Sequence, residues 1–355
     1  MKYENRVTEK LHISYPIFQA GMAGGSTTPE LVAAVSNAGG LGTLGAGYMS
    51  PEQMREAIRS VRRQTDQPFA VNLLLTKTVD INRNTLDYAR QLLQPVEQKL
   101  GITSSSEELM IGTYQDQLEV ILEEKVPVCS FAFDMPCVEE IQRLKENGTV
   151  IIGTATNVQE GKAWANIGAD IIVGQGSEAG GHRGTFIGSV QSSMIGTMAL
   201  IPQLVDAFSH IPIVAAGGIM DGRGIAASLA LGAEGVQLGT AFLTCEESGA
   251  HAIHKKEIIA SNDQSTTLTR AFSGKYARGL CNDFMTEFQQ HERELPDYPI
   301  LHVLTKEIRQ AAAKQQNKEY MSLWAGQASP LARVQPAAML IKQLVAETDA
   351  VFTRF

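Results

Sequence analysis

The stretch Asp170–Gly184, DIIVGQGSEAGGHRG, joins a continuous apolar run to a glycine-rich loop that contains one histidine, His182. Glycine has no Cβ, so a loop of this kind lets the backbone approach a flat ligand closely. Histidine is the side chain that exchanges a proton near neutral pH. A strand followed by such a loop indicates a catalytic mouth, although an ordinary turn with a solvated histidine gives the same pattern. The rest of the chain favours the catalytic interpretation.

Seven further runs are continuously apolar rather than alternating, which is typical of parallel strands that are covered on both faces. The eight predicted strands are residues 16–22, 40–46, 69–75, 126–133, 149–155, 170–176, 211–218 and 235–242. Helical patterns lie between them, with starts such as Thr28-Pro29 and Ser50-Pro51 and a stop at Gly39. Eight strand–helix units predict an α/β fold, a (β/α)8 TIM barrel.

Two regions depart from this repeat. Residues 76–125 are too long for a single crossover, so we expect extra helices there, and a lid formed by them is one interpretation. Residues 243–355 follow the last strand and are predicted to be mostly helical, with one strand-like run at 266–279, and to pack at the barrel mouth. The expected division is therefore a barrel over residues 1–242 and a C-terminal segment over residues 243–355.

The composition argues against several classes of protein. The 355 residues are 44% hydrophobic and 19% charged, as in soluble globular proteins. A net charge of −8 without a Lys/Arg-rich block argues against a nucleic-acid partner. No apolar run is long enough to span a membrane, and the polar N-terminus has no apolar signal core. The four cysteines form no CxxC pair, so we expect reduced thiols and a cytoplasmic location.

The loops after the seventh and eighth strands of such a barrel are a common phosphate site. Gly217 and Gly218 follow the seventh strand, and Gln237, Leu238, Gly239 and Thr240 belong to the eighth. Glycines bring backbone N–H groups close to phosphate oxygens, and Thr240 adds a hydroxyl. A predicted helix start at 221–224 adds a favourable dipole. A tight turn explains the glycine pair alone, but the combination favours a phosphate site.

Residues 40–45, GLGTLG, match the dinucleotide-binding pattern GxGxxG. That motif requires a strand before it and a helix that opens within it. Here a helix is predicted before the motif, and the motif itself is predicted to be a strand. A Rossmann-type dinucleotide site is therefore not expected.

Six sequence blocks together resemble the nitronate monooxygenases, formerly called 2-nitropropane dioxygenases. The blocks are PIFQAGMAGG (16–25), VNLLL (71–75), GSEAGGHRG (176–184), PIVAAGGI (212–219), GVQLGTAF (235–242) and LWAGQ (323–327). The resemblance covers essentially the whole chain, and LWAGQ favours the bacterial class I type. The flavin-dependent enoyl-acyl-carrier-protein reductases share much of the barrel pattern.

This resemblance implies a non-covalent FMN in the barrel mouth. Its phosphate end is implied to lie against Gly217, Gly218, Gln237, Leu238, Gly239 and Thr240. The ring system and ribityl chain are implied to lie against Gly21, Met22, Asn72, Gln175 and Gly180. Amide side chains offer both donors and acceptors to the flavin edge, and methionine offers a polarizable contact to its face.

The resemblance also implies that alkyl nitronates, such as propionate 3-nitronate, are oxidised with O2 to a carbonyl compound and nitrite, with His182 as the catalytic residue. As a neutral imidazole, His182 takes the α-proton of a neutral nitroalkane and acts as a general base. With a preformed nitronate, an imidazolium or N–H donor instead orients the anionic nitro oxygens. The sequence leaves both roles open.

Two other functions fit the same motifs: an FMN- and NAD(P)H-dependent enoyl-acyl-carrier-protein reductase, and a non-catalytic barrel that binds a phosphate ligand. A metal-dependent enzyme is not expected, because the seven histidines form no HxH or HExxH pattern.

Further polar residues are predicted near the mouth. Tyr114 is a candidate donor to the substrate, and Asp134 would repel an anionic nitronate unless paired. Glu178 and Arg183 either orient His182 or face water. Positive charge or donors are candidates at Lys275, Arg278, Tyr298 and Lys314, while Trp324 is expected to be a packing anchor.

Overall fold

A computed structural model of the chain describes residues 3–76, 82–102 and 114–354. Its strands are β1 (Ile17–Gln19), β2 (Gly42–Gly45), β3 (Phe69–Leu74), β4 (Val128–Ala132), β5 (Val150–Ala155), β6 (Ile171–Gln175), β7 (Gly181–His182), β8 (Ile213–Ala216), β9 (Gly235–Leu238), β10 (Thr266–Thr269) and β11 (Ala277–Leu280). Eight of these pair in parallel in the order β1-β9-β8-β6-β5-β4-β3-β2. The predicted TIM barrel is confirmed, and the GxGxxG stretch contributes strand β2 rather than a dinucleotide loop.

Helices surround this sheet and also cover one end of it. They are α1 (Arg6–Leu11), α2 (Pro29–Asn37), α3 (Pro51–Arg62), α4 (Arg83–Lys99), α5 (Tyr114–Glu123), α6 (Val138–Glu146), α7 (Val158–Asn166), α8 (Thr197–Ala207), α9 (Gly222–Ala230), α10 (Thr240–Leu243), α11 (Ala252–Ile259), α12 (Asp283–Phe288), α13 (Ile300–Leu304), α14 (Lys306–Lys314) and α15 (Ala337–Phe352). None of the described helices is long and apolar enough to cross a membrane.

The helix starts follow the sequence signals. Thr28 caps α2 with Pro29 in the first turn, and Ser50 and Gln53 form a capping box at α3. Gly39 follows α2 with a φ of +91°, a left-handed conformation that glycine adopts without a Cβ penalty.

The barrel has two apolar layers. Its interior holds a cluster that includes Phe18, Val128 and Val214, and α1 closes the N-terminal end by inserting Val7 and Leu11 into that cluster. A second, larger cluster lies between the strands and the helices of the outer ring. With both faces of each strand covered, the open C-terminal end of the barrel is the place where a ligand can enter.

A glutamine side chain completes the seam between β1 and β2. The two strands share one parallel bridge, Phe18 to Leu41. Beyond it, the fully buried amide of Gln19 acts like a peptide group: its Nε2 donates to the Thr43 carbonyl at 3.1 Å and its Oε1 accepts from the Thr43 N–H at 3.0 Å. Closure of the ring between β1 and β2 therefore depends in part on hydrogen bonds from a polar side chain.

The last helix of the chain belongs to the outer ring. Helix α15 packs against α9, which precedes β9, and against α2, which follows β1. Ala337, Leu340 and Leu344 lie in the same apolar cluster as the barrel helices. Residues 337–352 thus take the position of the eighth barrel helix instead of packing at the mouth, and a division of the chain at residue 242 stays a prediction.

Other parts of the C-terminal segment cover the mouth. Strand β11 pairs antiparallel with both β10 and β7, with Ala277 opposite His182 and Arg278 opposite Gly181. The strand-like run expected at 266–279 therefore forms a small sheet with the His182 loop. In the region 76–125 the structure contains α4 and α5, while residues 77–81 and 103–113 of the suggested lid lie outside the described residues.

The variant Gln19→Met tests the seam. It nearly preserves volume but leaves the N–H and C=O of Thr43 without partners in a buried position. Each such group costs about 1–3 kcal/mol, so the free energy of unfolding is expected to fall by about 2–4 kcal/mol in denaturant titrations. Gln203→Met, on an exposed face of α8, is the control and should change it by less than about 0.5 kcal/mol. Equal effects of the two variants would contradict the proposed role of Gln19.

Candidate active site

A cavity of about 560 Å³ lies at the C-terminal ends of the barrel strands. This volume is within the range of cofactor and substrate pockets. Loops from all sides of the barrel and from the C-terminal segment line it. Although the chain has 38 acidic and 30 basic residues, no described Asp or Glu lines this cavity, whereas Lys306 and Arg309 do.

The cavity brings together nearly all of the site residues predicted from the sequence. Its wall includes His182 and the predicted cofactor contacts Gly21, Met22, Asn72, Gln175, Gly180, Gly217, Gly218, Gln237, Gly239 and Thr240. Leu238 is the exception. Its side chain is 1% exposed and packs in the barrel wall, because successive residues of β9 point to opposite faces and Gln237 takes the face toward the cavity.

Several of the predicted glycines occupy positions that other residues would disturb. Gly217 and Gly218 have φ angles of +111° and +73°. A Cβ on Gly21 would lie 2.5 Å from the Cβ of Asn72, and one on Gly180 would lie 2.5 Å from the Gly326 nitrogen. These residues therefore expose backbone at the cavity wall where side chains do not fit.

The helix start expected to assist phosphate binding is already occupied. Asp221 caps α9 and accepts hydrogen bonds from the N–H groups of Arg223 and Gly224, while Glu347 accepts from Gly222. The prediction that residues 221–224 offer free donors to an anion is wrong, because a capping carboxylate already satisfies them. The glycine loops and Thr240 are left as the phosphate-binding candidates.

Polar side chains in the wall are partly engaged by the protein. Thr240 Oγ1 accepts from the Gly326 N–H at 3.0 Å, so its own proton remains available for donation. Asn72 Nδ2 donates to the hydroxyl and carbonyl of Ser130, which leaves the Asn72 Oδ1 available to accept from a ligand. Both polar atoms of the Gln175 side chain have partners in the protein. Its Oε1 accepts from Gly184 and Arg183, and its Nε2 donates to the His182 carbonyl.

The imidazole of His182 lies in the cavity wall among aromatic rings. Phe133 and Trp324 each have a ring centroid 5.4 Å from it, and Tyr298 lies at 6.0 Å. Burial lowers the pKa of His182 to about 3, and the positive charges of Lys275 and Arg309 add to this effect. The imidazole is therefore neutral between pH 5 and 8, where a solvated histidine would titrate.

Ser273 is the hydrogen-bond partner of His182, at 2.8 Å from its Nε2. The Ser273 hydroxyl is 3.1 Å from the Lys275 carbonyl, to which it donates, and it accepts from the Lys275 N–H at 3.3 Å. With the single Ser273 proton directed to the Lys275 carbonyl, the hydroxyl accepts from His182 Nε2–H, and in that tautomer the lone pair is on Nδ1. An unprotonated Nδ1 is a proton acceptor.

The charged neighbours of His182 hold the loop rather than the imidazole. Arg183 is fully buried and donates to the carbonyls of Gln175, Gly176 and Ser193. Glu178 accepts from the N–H and hydroxyl of Thr197. Neither hydrogen-bonds to the imidazole; Arg183 is shielded from water and Glu178 is partly buried, and both hold the loop that contains His182.

Most of the remaining sequence candidates have other roles. Tyr114 donates to Glu140 at 2.8 Å and does not line the cavity, and neither does Asp134. Arg278 is buried and donates to the Ser177 carbonyl. Lys275 donates to the Thr185 carbonyl and lies 4.8 Å from the Phe133 ring centroid. Lys314 is exposed.

Trp324 combines packing with a position in the cavity wall, where it contacts the rings of His182 and Phe272. Four further residues of the site were missed from the sequence: Tyr48, Ser273, His302 and Arg309. Three of these belong to the C-terminal segment, where no motif marks them. Among the described ranges no group of three His, Cys, Asp or Glu residues is placed to hold a metal ion.

Comparisons with known proteins agree on one family. The family model described as "Nitronate monooxygenase" matches residues 4–347. The chain is 46% identical over 354 residues to a probable nitronate monooxygenase of Staphylococcus aureus strain MSSA476, covering 98% of each chain.

Solved structures show the same relationship. A nitroalkane oxidase from Streptomyces ansochromogenes superposes with a TM-score of 0.91 at 40% identity, covering 99% of both chains. FabK from Thermotoga maritima superposes with a TM-score of 0.79 at 32% identity, covering 99% of this chain and 98% of that one. The match to the family model and to full-length relatives leads to one conclusion: this chain belongs to the nitronate monooxygenase family of oxidoreductases.

Proposed function

We propose that the chain is an FMN-dependent enzyme that oxidises alkyl nitronates, of which propionate 3-nitronate is an example, with O2 to a carbonyl compound and nitrite. One observation carries this proposal: the buried imidazole of His182, held through Nε2 by Ser273, lies in the wall of a cavity that contains a glycine cradle and that no Asp or Glu of the described residues lines. Family membership supports a small nitro compound as the substrate.

The residues of the cavity fit FMN. Gly217, Gly218 and Gly239 present backbone to the cavity, and the Thr240 hydroxyl retains a proton for a phosphate oxygen. Met22 also lines the cavity, as do Asn72 and Gln175, whose Oδ1 and second Nε2 N–H can meet the flavin edge. When bound there, FMN supplies the electron-transfer chemistry, and the protein supplies binding, orientation and electrostatics.

The neutral state of His182 favours the base role toward a neutral nitroalkane. Nδ1 accepts the α-proton, while Ser273 holds Nε2–H and prevents the ring from presenting a donor instead. As the proton moves, negative charge develops on the nitro oxygens beside a forming imidazolium. That pairing offsets the desolvation that keeps free His182 neutral.

A preformed nitronate needs no proton transfer. Its negative charge beside His182 raises the pKa of the imidazole, so that a protonated Nδ1 can donate to a nitro oxygen and orient the substrate. The same side chain thus serves both substrates, but only the neutral nitroalkane depends on its basicity.

Anaerobic titration of the purified protein tests the proposed function against its alternatives. We expect a flavin spectrum that is bleached by propionate 3-nitronate and not by NADH. Bleaching by NADH alone would instead support the enoyl-acyl-carrier-protein reductase. A colourless protein that takes up no FMN would support the non-catalytic phosphate-binding barrel and would overturn the proposal.

The variant Gly239→Ala tests the phosphate cradle. The added Cβ would lie 3.7 Å from the Ala20 Cβ and 3.8 Å from the Met22 sulfur, so the protein tolerates it but the cavity loses space. We expect the FMN dissociation constant to rise about tenfold or more, equivalent to at least about 1.4 kcal/mol, in a fluorescence titration. Gly224→Ala in α9, which does not line the cavity, is the control. Unchanged FMN affinity in Gly239→Ala would remove this residue from the phosphate site.

The variant His182→Asn tests the base role. It should retain FMN, because other groups hold the cofactor, and its amide can still donate to nitro oxygens. We expect kcat/KM for a neutral nitroalkane to fall about 10²–10⁴-fold and kcat/KM for the matching nitronate to fall far less. His210→Asn, at an exposed position, is the control. Equal and mild losses for both substrates would exclude His182 as the base.

A further inference from the structure

The cavity wall contains a guanidinium that the proposed chemistry at His182 does not use. Arg309 of α14 lies in the wall, partly buried, where a guanidinium remains charged at any physiological pH. Burial lowers its pKa from the usual value, and among the described residues the groups that oppose this shift are the phenols of Tyr48 and Tyr298 rather than a carboxylate. A buried charge without a counter-ion is costly, and proteins retain one mainly where a ligand supplies the opposite charge.

The neighbours of Arg309 hold the guanidinium without neutralising it. Its Nη2 donates to the His302 carbonyl at 2.7 Å, and its Nε donates to the Thr305 hydroxyl at 3.2 Å. His302 Nδ1 lies 3.3 Å from Nη2, and burial together with Arg309 lowers the pKa of His302 to about 2. His302 therefore stays neutral, and the Nη1 group of Arg309 has no acceptor among the described residues.

Arg309 is held by residues other than those of the proposed phosphate cradle. It donates hydrogen bonds to His302 and Thr305, and His302 stacks on Tyr48, which follows β2. The cradle glycines Gly217 and Gly239 instead follow β8 and β9. The guanidinium and the cradle therefore reach the cavity from different elements of the fold.

Arg309 and His182 line the same cavity. The Tyr298 ring is near both histidines, with its centroid 6.0 Å from that of His182 and 5.9 Å from that of His302. Arg309 is close enough to His182 for its charge to lower the pKa of that imidazole. A substrate with its reacting carbon at His182 can thus place a second group at Arg309.

We propose that Arg309 binds a carboxylate at the far end of the nitronate substrate and so selects carboxylated nitronates over uncharged alkyl nitronates. This inference rests on the proposed function and identifies the residue that sets its substrate preference. A guanidinium presents paired N–H donors that match the two oxygens of a carboxylate. The exposed ammonium of Lys306, also in the cavity wall, adds positive charge near the entrance.

The test compares two nitronates of similar length, propionate 3-nitronate and propyl-1-nitronate, with the FMN-loaded protein. In Arg309→Gln, we expect kcat/KM for the carboxylated substrate to fall about 10- to 100-fold, the factor for a lost charge-assisted hydrogen bond, mainly through KM. The ratio of kcat/KM values for the two substrates should fall by at least about tenfold. Arg63→Gln, at the exposed C-cap of α3, should not change this ratio.

A second variant separates recognition from misfolding. Arg309→Lys keeps the charge and the long side chain but loses the paired donors, so its ratio should lie between those of the parent and Arg309→Gln. FMN content and the unfolding midpoint are measured for each variant. Equal losses for both substrates in a folded, FMN-loaded Arg309→Gln protein would overturn this inference, as would an unchanged ratio.

These outcomes are distinct from failure of the proposed function. If the parent protein turns over both nitronates but Arg309→Gln leaves their ratio unchanged, only the role of Arg309 is wrong. If the parent turns over neither nitronate, the proposed function itself is wrong, and the inference falls with it.

Discussion

The site depends on the buried guanidinium of Arg183, which fixes the loop after β6. Arg183 donates to three backbone carbonyls of that loop, and the buried carboxylate of Glu160 accepts from the N–H groups of Phe186 and Ile187 farther along it. Buried backbone groups must be paired, so these two charges replace a regular strand or helix as the support of an irregular segment. Pairing of β7 with β11 then fixes His182 beside Ser273.

The electrostatic character of the cavity follows from the absence of carboxylates from the described part of its wall. The chain is acidic overall, yet its carboxylates lie outside the cavity wall among the described residues. The two charges with the greatest influence on His182 are Lys275 and Arg309, and with burial they keep the imidazole neutral in the free protein. An anionic substrate has the opposite effect and raises the pKa of the imidazole. The protonation state of His182 therefore depends on the charge of the bound ligand.

The sequence predicted the features that local patterns encode. Continuous apolar runs located all eight barrel strands, and ten of the eleven cofactor contacts implied by the family resemblance line the cavity. Leu238 does not line the cavity, because the alternation of side chains along a strand assigns it to the opposite face from Gln237; its contact with the cofactor stays a prediction. The prediction that the helix start at 221–224 offers free N–H donors was wrong, because Asp221 is itself the capping residue and accepts from those groups. Ser273 lies 91 residues after His182, and its contact with the imidazole arises from strand pairing that no local pattern reveals.

The central claim is that His182 is neutral, with its proton on Nε2 and its lone pair on Nδ1 directed to the substrate. Nitrogen-15 NMR of the FMN-loaded protein labelled at histidine measures this directly, with a His182→Asn sample to assign the signal. The account predicts a neutral Nε2–H tautomer from pH 5 to 8 without titration. An imidazolium signal that titrates near pH 6.5, or a proton on Nδ1 in the free enzyme, would contradict it.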